Sequence, residues 1–296
     1  MSLSDLLLKV KRKLLFNDNN LFRLTFRDDN VKDIPNVWRL AEAMKTENIK
    51  YIRRCPKTNR LILKTPQGTY LATNSYFWVL SEIFCWSLYN IDNKYFDSSS
   101  FIVFDFGMNR AYASLFFAQH PNCKKIFGYE PDPETYKFAE YNIALNPHLA
   151  QKIEPFNFGL GRENKEMTLF KIFNRDGVNS LNPKLNATIA SKNRRKMQTE
   201  KVLIKNTSDE VSSVLSRSRG EGKKIILKID VEGAEYEIFD DLCTSGVIEV
   251  FDLIVGDVHN GLHLIMEQLS HTHNLVHRTN TNKIIGFIFE KKGSWS

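Results

Sequence analysis

The sequence is poor in cysteine. Its 296 residues hold four, Cys55, Cys85, Cys123 and Cys243, with no CxxC pair and no metal-finger spacing. That excludes a disulfide framework and a thiolate zinc site, and it suits reduced, partly buried thiols in a reducing compartment. It also lacks any uncharged run of the ~20 residues that a bilayer-crossing helix needs. The first apolar run is broken by Lys9, Lys11, Arg12 and Lys13, and no small-residue cleavage site follows, so a secretory signal is not expected. Internal repeats and low-complexity tracts are missing too. A soluble cytoplasmic protein without a transmembrane segment is the expectation.

What is present is an ordinary globular composition, with 42% hydrophobic and 25% charged residues. The net charge is +7, and basic residues gather at Lys9–Lys13 and again at Lys192, Arg194, Arg195 and Lys196. A basic surface attracts nucleic acid, anionic lipid or phosphorylated small molecules. No zinc-finger or aromatic RNA-binding signature accompanies these clusters, so no nucleic-acid partner is expected.

The pattern changes near residue 100. Before it, Leu3, Leu6, Leu7, Val10, Leu14 and Leu15 fall at helical spacing, an amphipathic face for packing on the body or on a second subunit as a homo-oligomer. A helix is expected over Val37–Lys45. A hairpin is expected over Leu61–Lys64 and Thr69–Ala72, around Pro66-Gln67-Gly68, and a buried aromatic helix over Tyr76–Tyr89. The polar, Ser-rich stretch Asp92–Ser100 is the boundary, giving a helical and hairpin extension over 1–99 and a larger domain over 100–296. In that domain short apolar strands alternate with helices: Phe101–Phe104, Lys125–Tyr129, Ile153–Phe156, Lys224–Ile229, Phe251–Val255 and Ile284–Glu290 are the strands. This alternation predicts an α/β, Rossmann-like fold, a mostly parallel sheet with helices on both faces. Arg175–Lys201 reads as a polar, basic insertion, either a lid over an anionic acceptor or an exposed loop.

In such folds ligands bind beyond the carboxyl ends of the strands. The first strand end offers Asp105, Gly107 and Asn109, and the second offers Glu130, 23 residues beyond Gly107. An acid at that place can accept both hydroxyl hydrogens of a ribose. The turn reads Gly107-Met108-Asn109-Arg110-Ala111, without the further glycines of GxGxxG, which counts against a pyrophosphate-bearing dinucleotide such as NAD. It suits a cofactor without phosphates, such as S-adenosylmethionine, whose amino-acid end can meet this loop.

Three segments resemble the FkbM family of S-adenosylmethionine-dependent methyltransferases. They are Val103-Phe104-Asp105-Phe106-Gly107-Met108-Asn109, Gly128-Tyr129-Glu130-Pro131-Asp132-Pro133 and, most specific, Leu227-Lys228-Ile229-Asp230-Val231-Glu232-Gly233-Ala234-Glu235. The resemblance covers about residues 100 to 292. It departs at Met108, where the family usually has a small residue, and at Ala111, where it usually has glycine. It implies O-methylation, often of a sugar hydroxyl in glycan or natural-product assembly. The acceptor is then a small molecule or glycan, such as a nucleotide-activated sugar or a nascent surface polysaccharide. The cofactor residues are then Asp105, Gly107, Asn109, Glu130 and Asp230.

A sugar hydroxyl is a poor acid, so a base or a metal must help it lose its proton. Asp230 ends one strand, and Asp257 and His259 end its neighbour. As a metal site these three suit iron(II), manganese or magnesium. Alternatively His259 is the general base and the two aspartates orient it, or Asp257 and His259 merely cap the helix starting near Gly261. Lys228, inside the strand before Asp230, can ion-pair with a neighbouring acid or touch the acceptor as a catalytic group. The remaining histidines form no ligand set, and His271 and His273 are expected in a loop. Two other readings stay open: a non-catalytic binding module on the same fold, and an NAD-dependent oxidoreductase.

Overall fold

The structure, a computed structural model, describes residues 48–74, 91–97, 99–172, 179–182, 197–218, 223–258, 261–280 and 285–294, with 44, 79–80 and 83. The helix expected over Leu3–Leu15 lies outside the described residues, as do all of Val37–Lys45 but Met44, which is helical, and most of Tyr76–Tyr89. The chain forms two compact units, Met1–Ser87 and Leu88–Ser296.

In the first unit, β1 (Lys50–Arg54), β2 (Leu61–Lys64) and β3 (Tyr70–Thr73) make an antiparallel sheet in that order. The expected hairpin is β2–β3. Gly68 closes its turn with φ +95°, and Thr65 and Thr69 bond across the turn at 2.9 Å.

The second unit is built on seven strands. β4 (Phe101–Phe106), β5 (Cys123–Tyr129), β6 (Ile153–Phe156), β10 (Lys224–Ile229) and β11 (Leu253–Val258) run parallel, with β12 (His273–Asn280) and β13 (Ile285–Lys291) antiparallel at one side. The order is β12-β13-β11-β10-β4-β5-β6, so the chain moves outward from β4 to β6 and then restarts on the other side at β10. The switch point lies between β4 and β10, the crevice where such sheets bind ligands. A smaller sheet, β7 (Gly159–Gly161), β8 (Lys165–Ile172) and β9 (Met197–Asn206), lies in the order β7-β9-β8. Sequence periodicity does not disclose these three strands, nor β12.

β4 is buried at every position, as a parallel strand covered on both faces must be. Phe104 stands opposite Phe127 in register, their rings 5.3 Å apart, and Phe106 stands opposite Tyr129 edge-on at 5.6 Å. Each such ring, fully buried, contributes roughly 1.5–3 kcal/mol of transfer free energy. The helices that follow the strands are α1 (Tyr112–Ala118), α2 (Pro133–Ala144), α3 (Thr207–Arg217), α4 (Glu235–Thr244) and α5 (Leu262–Leu269). Asp132 caps α2 through the Glu134 N–H, and Pro133 occupies the first turn, where its missing donor costs nothing. Among the described residues no helix is long and apolar enough to cross a membrane.

Candidate active site

The carboxyl ends of β4, β5, β10 and β11 gather on one edge of the sheet. Asp105, near the end of β4, is fully buried. Ser114, on α1, donates its hydroxyl to Asp105 Oδ2 at 2.6 Å, and Lys228 Nζ lies 3.0 Å from Oδ1. Asp105 and Lys228 are direct partners in the β4–β10 register. The Lys228 ammonium also donates to the carbonyl oxygens of Gly107 at 2.6 Å and Phe106 at 3.3 Å. Burial opposes the charge on Lys228, but Asp105, Asp230 and Asp257 outweigh it and hold its pKa above the ordinary lysine value.

The turn after β4 is tight. Gly107 has φ +77°, and a Cβ there would stand 1.8 Å from the Asp230 carbonyl oxygen, so no other residue fits. The Gly107 and Met108 N–H groups both donate to the Tyr129 carbonyl, at 3.1 and 2.8 Å. Met108 is buried with its thioether against Gly128, where an added Cβ would lie 2.4 Å from the sulfur. The large residue in the glycine loop is thus matched by a missing side chain on the neighbouring strand. Asn109 (φ +51°) and Ala111 (φ +62°) are both left-handed. Asparagine tolerates that region. For alanine it costs roughly 1–2 kcal/mol, and Ala111 is the position where the family pattern has glycine.

Glu130 follows β5 and is clamped from two sides. Its Oε2 accepts the Asn109 N–H at 3.0 Å and its Oε1 accepts the Asp132 N–H at 2.8 Å. The glycine turn and the ribose-acid turn are therefore one hydrogen-bonded rim. Asp132 in turn accepts from Thr135 Oγ1 at 2.8 Å, Lys171 Nζ at 2.6 Å and Asn179 Nδ2 at 3.0 Å. Burial opposes the charge of Lys171, and the Asp132 bond more than restores it, raising its pKa.

The loop after β10 is organised by Glu235, at the start of α4. Its carboxylate accepts the Val231 N–H at 3.2 Å and the Gly233 N–H at 2.9 Å, while burial pushes its own pKa up. Glu232 is left-handed, with φ +53°, and its carbonyl accepts the Ser180 hydroxyl at 2.6 Å. Three of the five left-handed non-glycine residues among the described positions thus sit on these strand-end loops. Such outliers concentrate where the surroundings over-determine a site.

Asp257 is buried and lies inside β11, which runs on to Val258 rather than stopping at Val255. The pairing Ile229↔Gly256 sets Asp230 level with it. His259 lies outside the described residues. Among the described residues no group of three His, Cys, Asp or Glu side chains is arranged to hold a metal. The expected Asp230–Asp257–His259 metal site includes His259 and so is not tested by these residues. What stands by the two aspartates is the charge of Lys228. His273 does not lie in a loop but opens β12, buried, with Nε2 2.9 Å from the Phe251 carbonyl.

Sequence reading missed Ser114, Asp132, Lys171, Asn179 and Ser180. Asp132-Pro133 was the available signal, since an Asp before Pro at a helix start is a cap signature. The others act from positions whose spacing carries no pattern.

A family model for the methyltransferase FkbM domain matches residues 105–275, more than half of the chain. The chain belongs to the FkbM methyltransferase family. Membership makes it a methyltransferase of the S-adenosylmethionine-dependent class. Among solved structures the FkbM methyltransferase of Methylobacillus flagellatus KT is similar, at 13% identity and TM-score 0.41, over 65% of this chain and 44% of that one. The ribosomal protein L11 methylase of Lactobacillus delbrueckii subsp. bulgaricus aligns at 13% identity and TM-score 0.36, over 66% and 72%. A Streptococcus pneumoniae protein assigned as a tRNA (m1A22) methyltransferase, in complex with S-adenosyl-L-methionine, aligns at 14% identity and TM-score 0.39, over 69% and 72%. No curated protein matches the sequence.

Proposed function

We propose that this FkbM domain moves the methyl group of S-adenosylmethionine to a sugar hydroxyl, on a nucleotide-linked sugar or a surface glycan. The observation that carries the cofactor half is Glu130. Two backbone N–H donors from two different loops fix its carboxylate at the end of β5. A carboxylate offers about four acceptor sites, and one so oriented suits the paired hydroxyls of a ribose. Gly107 and Asn109 serve the methionine side, with Asp230 beside them, where negative charge suits a cationic cofactor. Asp105, whose two oxygens face Ser114 and Lys228, serves that side by positioning. The acceptor half rests on the family resemblance alone.

The cofactor supplies an electrophilic methyl group on a sulfonium. The chain must bring the acceptor oxygen into line with it and take its proton. His259, two residues beyond Asp257, is our general base, with Asp257 and Asp230 to orient it or the acceptor. The rival reading gives the same three residues a divalent metal that acidifies the hydroxyl.

The test is incubation with labelled S-adenosylmethionine and a panel of nucleotide sugars, with added iron(II), manganese or magnesium and with excess chelator. Label should enter a sugar ether and should still do so in chelator, while His259→Ala should not turn over. Activity that chelator abolishes and metal restores would replace the base by the metal. Calorimetry that finds NAD bound and S-adenosylmethionine ignored would overturn the reading in favour of an oxidoreductase. Cofactor binding without transfer to any acceptor would favour a binding module.

A further inference from the structure

We propose that Lys228 is a positioning residue for the methionine end of the cofactor, resting on the S-adenosylmethionine reading above. Lysine in the middle of a buried parallel strand is costly unless its charge is met. Here it is met by two carbonyl hydrogen bonds and one ion pair. The ammonium has three hydrogens, and three acceptors surround it: the Gly107 carbonyl at 2.6 Å, the Asp105 carboxylate at 3.0 Å and the Phe106 carbonyl at 3.3 Å. All of these close partners lie on β4 and its turn, so the contacts of the ammonium are directed at the turn rather than at an acceptor hydroxyl.

Each of the three acceptors belongs to β4 or its turn. Asp105 passes the restraint on to α1 through the 2.6 Å bond from Ser114. One buried cation therefore ties the last residues of β4, the Gly107 peptide and the first helix into a fixed arrangement. The Gly107 carbonyl is bonded to Lys228, and the N–H groups of Gly107 and Met108 on either side of it are bonded to the Tyr129 carbonyl. The orientation of the turn that the amino-acid part of the cofactor meets is thus set from beneath by Lys228. Glu130 takes one donor, Asn109, from that turn but keeps a second, Asp132, from its own loop, so the ribose side should feel Lys228 less than the methionine side does.

This difference gives the test. Calorimetry on the full chain should compare S-adenosylhomocysteine, which has the amino-acid end, with methylthioadenosine, which lacks it. In Lys228→Met the first should bind at least ~10-fold more weakly, a loss of roughly 1.4 kcal/mol, and the second within about threefold of the unchanged protein. Lys228→Met leaves Asp105 buried without its cation and can fail to fold. The double variant Lys228→Met/Asp105→Asn removes both charges and should show the same selective loss. Equal losses for both ligands would make the role merely structural and overturn the proposal, as would no loss for either. If the unchanged protein binds neither ligand, the cofactor reading itself is wrong and this inference falls with it.

Discussion

The five parallel strands and the antiparallel pair β12–β13 share one sheet, yet they are written in different sequences. β4 reads FIVFDF and β10 reads KIILKI, apolar nearly throughout because helices cover both faces. β12 reads HNLVHRTN and its exposed positions alternate, as on a strand at the sheet's side with one face open. The chemistry follows the same division. Parallel strands deliver all their carboxyl ends to one edge, so Asp105, Glu130, Asp230 and Asp257 can converge. An antiparallel pair sends its ends in opposite directions and cannot build such a rim. The polar residues of β12 and β13 make local packing contacts instead: His273 reaches the Phe251 carbonyl and Glu290 accepts the Tyr95 hydroxyl.

The largest test of this division is energetic. Phe104, fully buried against Phe127 and Phe251, should cost about 3–5 kcal/mol when changed to Ala. Val276 on β12, 46% exposed, should cost no more than about 0.5 kcal/mol in the same change. Urea unfolding of both variants measures the contrast. Similar losses would mean that the antiparallel side carries as much of the core as the parallel strands do.

The second test separates the two regions by function. Glu130→Ala should weaken S-adenosylmethionine binding by roughly 1–3 kcal/mol, the scale for hydrogen bonds to a charged group. Glu290→Ala, on β13, removes a carboxylate that accepts the Tyr95 hydroxyl at 2.9 Å and should leave cofactor affinity unchanged. Titration calorimetry on both decides it. An unaltered affinity in folded Glu130→Ala would remove the ribose assignment.

The same division explains what could be read from the sequence. The bounds expected for Ile153–Phe156 and Lys224–Ile229 are those of β6 and β10. β12 was missed because a strand with one open face carries only weak alternation, and its histidines resemble a loop. β8 and β9 were missed because they are partly exposed, polar and far apart in sequence. In the site, the strand-end acids were visible as single residues at predictable places. Their partners were not. Ser114 reaches Asp105, Lys171 and Asn179 reach Asp132, and Ser180 reaches the Glu232 carbonyl, all through tertiary contacts that leave no spacing signature. Met108 looked like a defect in the glycine loop, and only the pairing of β4 with β5 reveals Gly128 as its complement.

A third test addresses strain at the parallel strand ends. Ala111 is left-handed and Ala113, two residues on, lies in the regular helix α1, and both are buried. Ala→Gly loses a buried methyl and adds unfolded-state freedom at either position. Only at Ala111 does it also release left-handed strain of roughly 1–2 kcal/mol. Ala113→Gly should therefore be the less stable variant by about 1–2 kcal/mol, plus part of the helix-interior cost. Equal thermal stabilities would show that Ala111 stores no strain, and the strand-end loops would lose one mark of a constrained site.

The smallest expected effect lies on the antiparallel side. His273 is buried with Nε2 2.9 Å from the Phe251 carbonyl and Nδ1 2.8 Å from the Thr272 hydroxyl. One nitrogen can donate to the carbonyl while the other accepts from the hydroxyl, which suits the neutral ring. Burial, the largest influence, pushes its pKa below the ordinary value of 6.5, against the favourable pull of the carbonyl. The unfolded chain then binds the proton more readily than the folded one. Stability from this group is present above the unfolded pKa and is lost as pH falls through 6.5 toward the lowered folded value. His273→Gln keeps a donor for the Phe251 carbonyl but cannot titrate. The unchanged protein should lose stability between neutral and mildly acidic pH more steeply than this variant does. Urea midpoints measured at intervals across that range would show it, and parallel curves would mean that His273 contributes nothing to the acid response.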